Sequence, residues 1–210
     1  MSEIEQRSDE WFKVRLGKVT ASRIADVIAE IKIGEAAARA DYRVELICER
    51  MTGQADEGFT NQYIERGIEL EPFARAAYEA KNGLFVTQIG FAQHPTIEMS
   101  GASPDGLVGD DGMLEIKCPK AKTHINTMLS KRVPSKYVPQ MQWQMACTGR
   151  KWNDFVSYCP ELPVDLQLFV MRLERDDEYI AMLEDKVKTF LHEVSLTIDR
   201  LEEIAHGASV

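Results

Sequence analysis

Between Ser100 and Lys117 the chain reads SGASPDGLVGDDGMLEIK, and no other stretch restricts its folding as tightly. Leu114 and Ile116 alternate with Glu115 and Lys117, the pattern of a half-buried strand. Side chains two apart on a strand share a face, so Glu115 and Lys117 emerge together. Gly109 to Gly112 supply a turn that joins this strand to the preceding one as a hairpin. Pro104 stiffens the backbone before Asp105, and Gly106 permits an unusual turn after it. If Asp105 ends the paired strand, its carboxylate approaches Glu115 and Lys117.

Two carboxylates about 4 Å apart in a partly shielded site repel by roughly 4 kcal/mol, so the pair either keeps a proton or recruits a cation. Oxygen ligands with incomplete protein coordination suit Mg²⁺, which retains waters and binds substrate phosphate. A dication would lower the pKa of the adjacent Lys117 towards the range where it orients or deprotonates an attacking water. Without a metal, the two carboxylates would hold it charged. The same three residues also fit a salt-bridged solvent face on an ordinary strand.

The remaining sequence gives the frame. Ser8 caps a helix over DEWFKVRLG, TASRIADVIAE repeats apolar residues at helical spacing, and a third helix runs from about Glu35 to Gly53. NQYIERGIELEPFARAAYEAKNG places Leu70, Phe73, Ala74, Ala77 and Tyr78 on one helix face, with Pro72 either kinking it or starting its second half. Strands follow at LFVTQIGFAQ, EMSGASPDGLVG and MLEIKCP, which fit an antiparallel meander. Then come helices at KTHINTMLSK and KYVPQMQWQMACTG, and strands at KWNDFVSYC and LQLFVMRLE. A last helix starts near Asp176, with Ile180, Leu183, Val187, Phe190, Val194, Ile198 and Leu201 stepping by three and four. The order predicts an α/β (α+β) fold, a central mixed sheet flanked by helices, and a single domain over residues 1–210.

Cys48, Cys118, Cys147 and Cys159 have no paired spacing that would suggest zinc or an iron–sulfur cluster, and are expected to be reduced core thiols. The four histidines carry no ligand spacing. A polar, acidic amino terminus and the absence of an apolar run of ~18 residues predict a cytoplasmic protein without a membrane span. Thirty-four acidic residues against 25 basic ones leave a net charge of −9, which argues against indiscriminate attraction to nucleic acid but leaves room for a local basic groove.

The SPDG to LEIK pair resembles the signature of the PD-(D/E)xK nuclease superfamily. The chain is more closely similar to the bacteriophage lambda exonuclease family of viral recombination nucleases. WFKVRLGKVTAS, GIELEPFA, SPDGL, LEIKCP and YVPQMQW occur in that family's order and spacing, so the likeness covers most of the chain. It implies a restriction-endonuclease-like core. The activity it implies is Mg²⁺-dependent, processive 5'-to-3' digestion of double-stranded DNA, releasing mononucleotides and leaving 3' single-stranded tails for recombination. Two Mg²⁺ per active site, with Mn²⁺ as a substitute, are implied as cofactors. The implied partners are duplex DNA ends bearing a 5' phosphate, two further copies in a homotrimeric ring, and a single-strand annealing recombinase. Such a protein would be phage or prophage encoded and act in the bacterial cytoplasm.

By motif, the resemblance gives Asp105, Glu115, the carbonyl of Ile116 and Glu71 to the metal, Lys117 to the attacking water, and Gln140 to the active site. Arg15, Ser22 and Ser103 match the pocket for the terminal 5' phosphate, where a guanidinium forks onto phosphate oxygens beside hydroxyls. Ile64 matches a wedge at the DNA end, and Trp11 lies near it. Glu71 also suits an i,i+4 pair with Arg75, and Gln142 and Gln144 are expected on the helix surface. Arg15, Lys18, Arg23, Lys120, Lys122, Lys131, Arg132 and Lys136 are candidates to line the DNA path. The loop EIKIGEAAARAD carries less positive charge than the family pattern, with Lys32 its obvious basic residue. A structure-specific or restriction-like endonuclease and an inactive DNA-end clamp are the rival readings.

Overall fold

In the computed structural model the described residues are 4–55 and 62–207. Ser8 starts the first helix, α1 (Asp9–Arg15), by accepting a hydrogen bond from the Trp11 amide at 3.2 Å. A short strand β1 (Val19–Thr20) leads through a single 3-10 turn into α2 (Ile24–Val27). The helix α3 (Ala37–Thr52) ends at Gly53, whose φ of 67° provides the left-handed C-cap. Pro72 sits inside an uninterrupted α4 (Gln62–Asn82); Asn61, where a helical start was expected, lies outside the described residues. The strands β2 (Val86–Thr87), β3 (Ala92–Gln93), β4 (Ser100–Ala102), β5 (Gly106–Val108) and β6 (Gly112–Lys117) follow. After α5 (Ala121–Ser130) and α6 (Val138–Thr148) come β7 (Trp152–Tyr158), β8 (Leu168–Glu174) and the long α7 (Asp177–Gly207), capped by Asp176.

The main sheet has the order β2-β5-β6-β7-β8, with β6 and β7 parallel and the other neighbours antiparallel. A smaller sheet, β1-β4-β3, pairs β1 parallel to β4 and β3 antiparallel to it. The architecture is therefore the mixed α/β one expected, but the three strands before Lys117 do not form one meander. Each of the first two divides between the sheets, and Pro104 with Asp105 marks the break between β4 and β5, because proline has no amide to donate to a ladder. The expected helix TASRIADVIAE is also shorter, reduced to a turn and α2. Gly106 has a different role from the one expected: it opens β5 rather than a turn, and a Cβ there would lie 2.1 Å from Val86 Cγ1. The hairpin turn itself uses Gly109, at φ 53°.

Strand β6 is covered on both faces. Met113 joins Trp143, Met145, Leu183 and Phe190 in the larger core, whereas Leu114 and Ile116 point to the opposite side, with Ala74, Tyr78 and Val156. The alternation therefore does not mark a half-buried strand; Glu115 is only 1% exposed. On α4 the buried seam runs through Ala74 and Tyr78, leaving Phe73 63% exposed, against expectation. Glu71 and Arg75 flank that seam, so polar residues occupy helix positions the apolar pattern assigned elsewhere. On α7 Ile180, Leu183, Val187, Phe190 and Val194 pack into the core, while Leu201 is 37% exposed. Cys147 and Cys159 are buried thiols, but Cys48 is exposed and so is not a core residue. Among the described residues no helix is long and apolar enough to cross a membrane.

Candidate active site

The carboxyl end of β6 gathers the acidic and basic side chains. Asp105 lies in the link between β4 and β5, and its Oδ2 accepts the Ile116 amide at 2.6 Å, which fixes the carboxylate beside the strand. Lys117 Nζ stands 2.5 Å from Glu115 Oε1. Burial, followed by the charge of Glu115, pushes Asp105 well above the usual carboxylate range, against the opposing pull of Lys117. Burial also weighs against the charge of Lys117, but Glu115 and Asp105 outweigh it and hold the ammonium above the usual lysine range. Lys117 further lies 5.1 Å from the Tyr137 ring centroid, which Lys136 approaches at 4.7 Å.

Helix α6 supplies the rest of the environment of Glu115. Gln140 Nε2 donates to Glu115 Oε1 at 2.6 Å, and Gln144 Nε2 donates to Oε2 at 2.5 Å. Gln140 thus meets the carboxylate itself. Gln144 is fully buried rather than on the surface, and so is Gln142, which donates to the Glu174 carbonyl and accepts from the Asp176 amide. The missed signal was the i,i+4 spacing of Gln140 and Gln144, which places both amides on one face of a mostly apolar helix.

Glu71 makes the i,i+4 pair with Arg75 at 2.5 Å and a second pair with Arg7 at 2.7 Å. Its charge also helps to raise the pKa of Asp105, so it belongs to the same electrostatic neighbourhood. Among the described residues no three His, Cys, Asp or Glu side chains form a ready metal cage. The adjacent Asp105 and Glu115 nevertheless fit a hard divalent cation, because Mg²⁺ commonly takes one or two carboxylates and fills its other positions with water and phosphate. Burial raises the Asp105 pKa most, and the charges of Glu115 and Glu71 that raise it further are ones such an ion would offset.

A second cluster lies at α1. Trp11 Nε1 and Arg15 Nη1 both donate to Ser103 Oγ, at 2.9 and 3.1 Å, and the guanidinium stacks on the Trp11 ring 4.0 Å from its centroid. With both acceptor positions of Ser103 engaged, its own proton is available to an incoming acceptor. Burial lowers Arg15 to about 10, which leaves it charged at neutral pH. Ser22 is exposed, and its hydroxyl lies 3.3 Å from that of Thr20, which is in register with Gly101 of β4, two residues before Ser103. Ile64 is 46% exposed on the first turn of α4. Among the basic residues, Lys120, Lys122, Lys131, Arg132 and Lys136 are exposed, whereas Arg23 is tied to Asp26 and Glu45.

A family model of the YqaJ-like viral recombinase domain matches residues 10–151. An alkaline exonuclease from Laribacter hongkongensis, LHK-Exo, is 50% identical, with a TM-score of 0.89 over 96% of this chain and 100% of that one. The same enzyme in complex with dAMP superposes with a TM-score of 0.91. A phage-related exonuclease from Haemophilus somnus shares the fold at 18% identity, with a TM-score of 0.70 over 90% of this chain and 96% of that one. An uncharacterized protein of Acanthamoeba polyphaga mimivirus, R354, is 25% identical over 168 residues, 74% of this chain. The chain spans 29% of that protein's length.

Proposed function

This chain belongs to the family of YqaJ-like viral recombinase domains, and we propose that its residues 1–210 form one deoxyribonuclease domain that digests duplex DNA from its ends. The observation that carries the reading is the meeting of Asp105, Glu115 and Lys117 at one end of β6. The 50% identity to an alkaline exonuclease along nearly the whole chain supports it, as does the capacity of that relative to hold dAMP, a mononucleotide of the kind an exonuclease releases. The polarity is 5' to 3', the digestion processive, and the product a 3' single strand.

Asp105 and Glu115 would hold Mg²⁺, two ions per site, with the Ile116 carbonyl and Glu71 contributing and Mn²⁺ able to substitute. When bound, the metal supplies Lewis acidity towards phosphate and water oxygens. Lys117 is the residue that orients the water; to take its proton it must first leave Glu115 and lose its own proton to solvent, a loss that the positive charge of a bound dication would favour. Gln140 holds Glu115 from above the strand and has a second amide proton to offer to phosphate or water. Arg15, with Ser103 and Ser22, receives the terminal 5' phosphate through charge-assisted bonds, and Trp11 fixes the guanidinium plane. Ile64 parts the strands at the duplex end. The exposed lysines around α5 continue a positive path outwards from Lys117, which accommodates DNA on a chain of net charge −9. The assembly is a homotrimeric ring in the bacterial host cytoplasm, handing its product to an annealing recombinase.

The test is digestion of linear duplex carrying a 5' phosphate or a 5' hydroxyl, with Mg²⁺ or with chelator, beside closed circular DNA. Metal-dependent release of mononucleotides, faster from the phosphorylated end, is expected. Cleavage of the circle would point instead to an endonuclease, and no release from any substrate to a DNA-end clamp.

A further inference from the structure

The buried face of α6 carries a hydrogen-bond chain that continues beyond Glu115. Gln144 donates to Glu115 Oε2 at 2.5 Å, and its own Oε1 accepts from Asn153 Nδ2 at 2.7 Å. All three residues are essentially solvent-free: Glu115 is 1% exposed, and Gln144 and Asn153 are 0%. We propose that Gln144 and Asn153 are positioning residues, a two-amide relay that locks Glu115 in one orientation and presents its Oε1 to the metal. This rests on the reading of the site given above.

The argument is one of direction. The two ends of a carboxamide have nearly the same shape and opposite hydrogen-bonding character, so its neighbours alone decide which end faces where. An ionised Glu115 accepts and never donates, and Gln144 must therefore turn its NH₂ towards it. The Gln144 carbonyl then needs a donor in a place without solvent, and the Asn153 NH₂ is that donor. Reversing either amide sets oxygen against oxygen. Asn153 Oδ1, at the far end, has no hydrogen-bond partner among the described residues. A buried carbonyl left unpaired is unfavourable, which packing alone does not explain at a site an apolar side chain would fill. Register supports the assignment: Asn153 on β7 is aligned with Met113, on the same face of β6 as Glu115, so its side chain reaches the underside of α6. With Oε2 committed to Gln144, the other oxygen, Oε1, meets Gln140 and Lys117 on the open side. Supporting bonds to a ligating carboxylate of this kind typically alter metal affinity by 10–100-fold.

The experiment titrates the full-length protein with Mn²⁺ alone, by calorimetry, and separately measures kcat and KM on linear duplex. Asn153→Leu removes the donor while keeping the branched shape in a larger side chain; affinity for Mn²⁺ should fall about tenfold and kcat with it, with KM unchanged and melting in chelator near that of the wild type. Asn153→Asp places a carboxylate against the Gln144 oxygen and forces that amide to turn round, so affinity should fall further. If Asn153→Leu does not fold, Gln144→Met is read in the same titration. Folded variants that bind Mn²⁺ as the wild type does would overturn the relay while leaving the site intact. A wild-type protein that binds no Mn²⁺ would overturn the site and the relay together.

Discussion

Replacing Asp105 by asparagine should abolish cleavage and at the same time make the metal-free protein more stable. The folded protein holds this carboxyl beside Glu115 in a partly desolvated place, and its pKa is pushed well up. Two such charges about 4 Å apart repel by roughly 4 kcal/mol at an effective dielectric of 20, and Lys117 returns an attraction of similar size. The two nearly cancel, which leaves the extra cost of burying a charge rather than a neutral amide, taken as about 1–2 kcal/mol, within the range that mutational data give for buried polar groups. Asparagine removes that cost and keeps the structural bond, because its Oδ1 still accepts the Ile116 amide. For a chain of this length the gain corresponds to roughly 2–8 °C in Tm.

The pH dependence follows from the same shift. A carboxyl whose folded pKa lies above its unfolded value of about 3.9 contributes stability in full below that value, and the contribution is lost as pH rises through the folded pKa. Wild-type protein in chelator should therefore lose stability from about pH 4 upwards relative to Asp105→Asn, which lacks the transition. Mg²⁺ reverses the order at neutral pH, since an ion at a hundred times its Kd adds about 2.7 kcal/mol to the wild type and little to the variant. Differential scanning fluorimetry across pH, with Mg²⁺ or chelator, reads both effects. A variant melting below the wild type in chelator at neutral pH, or gaining equally from Mg²⁺, would refute the reasoning.

Lys117→Ala should lower turnover by about 10²–10⁴ while DNA-end binding in chelator persists, and near-normal turnover would remove the residue from the chemistry. Arg15→Ala should erase the preference for a 5' phosphate over a 5' hydroxyl, since Trp11 and Ser103 remain but the charge does not; a retained preference in competitive digestion places the pocket elsewhere. Tyr78→Phe removes one of three bonds to the buried Asp154, leaving the two from Arg172. It should cost about 1 kcal/mol in urea unfolding with unchanged kcat, and an unaltered midpoint would show that the Arg172 pair suffices.

The fold class was legible because helical and strand periods alternate along most of the chain, and because Gly109 marks the hairpin turn at φ 53°. The partition of the strands between two sheets was not. Its cause is a contact distant in sequence, the parallel pairing of Val19 and Thr20 with Ser100 and Gly101, which no local period reports. Burial misled in the same way. Alternation describes one face against the other, but it is silent on whether a second layer covers the polar face, as α6 covers Glu115.

The errors on α4 and α6 share a physical origin that also locates the site. On α4 the apolar pattern gave the buried seam to Leu70 and Phe73 as well as Ala74 and Tyr78, and on α6 it sent Gln142 and Gln144 outwards, which is the right rule where burial leaves polar groups unpaired. Near β6 the pairing is supplied in advance. Gln144 is buried and Gln140 half-buried because Glu115 accepts from both, and Glu71 lies beside the seam of α4 because Arg7 and Arg75 neutralise it. Each polar intrusion thus requires another, and together they bring polar groups from both helices to the carboxyl end of β6, beside its parallel neighbour β7. Ligands of open α/β sheets commonly bind outside the carboxyl ends of their strands. A polar residue repeated at four-residue spacing within an apolar helix is therefore the sequence mark of the wall of such a site, and it deserves the weight usually given to the acidic motif on the strand.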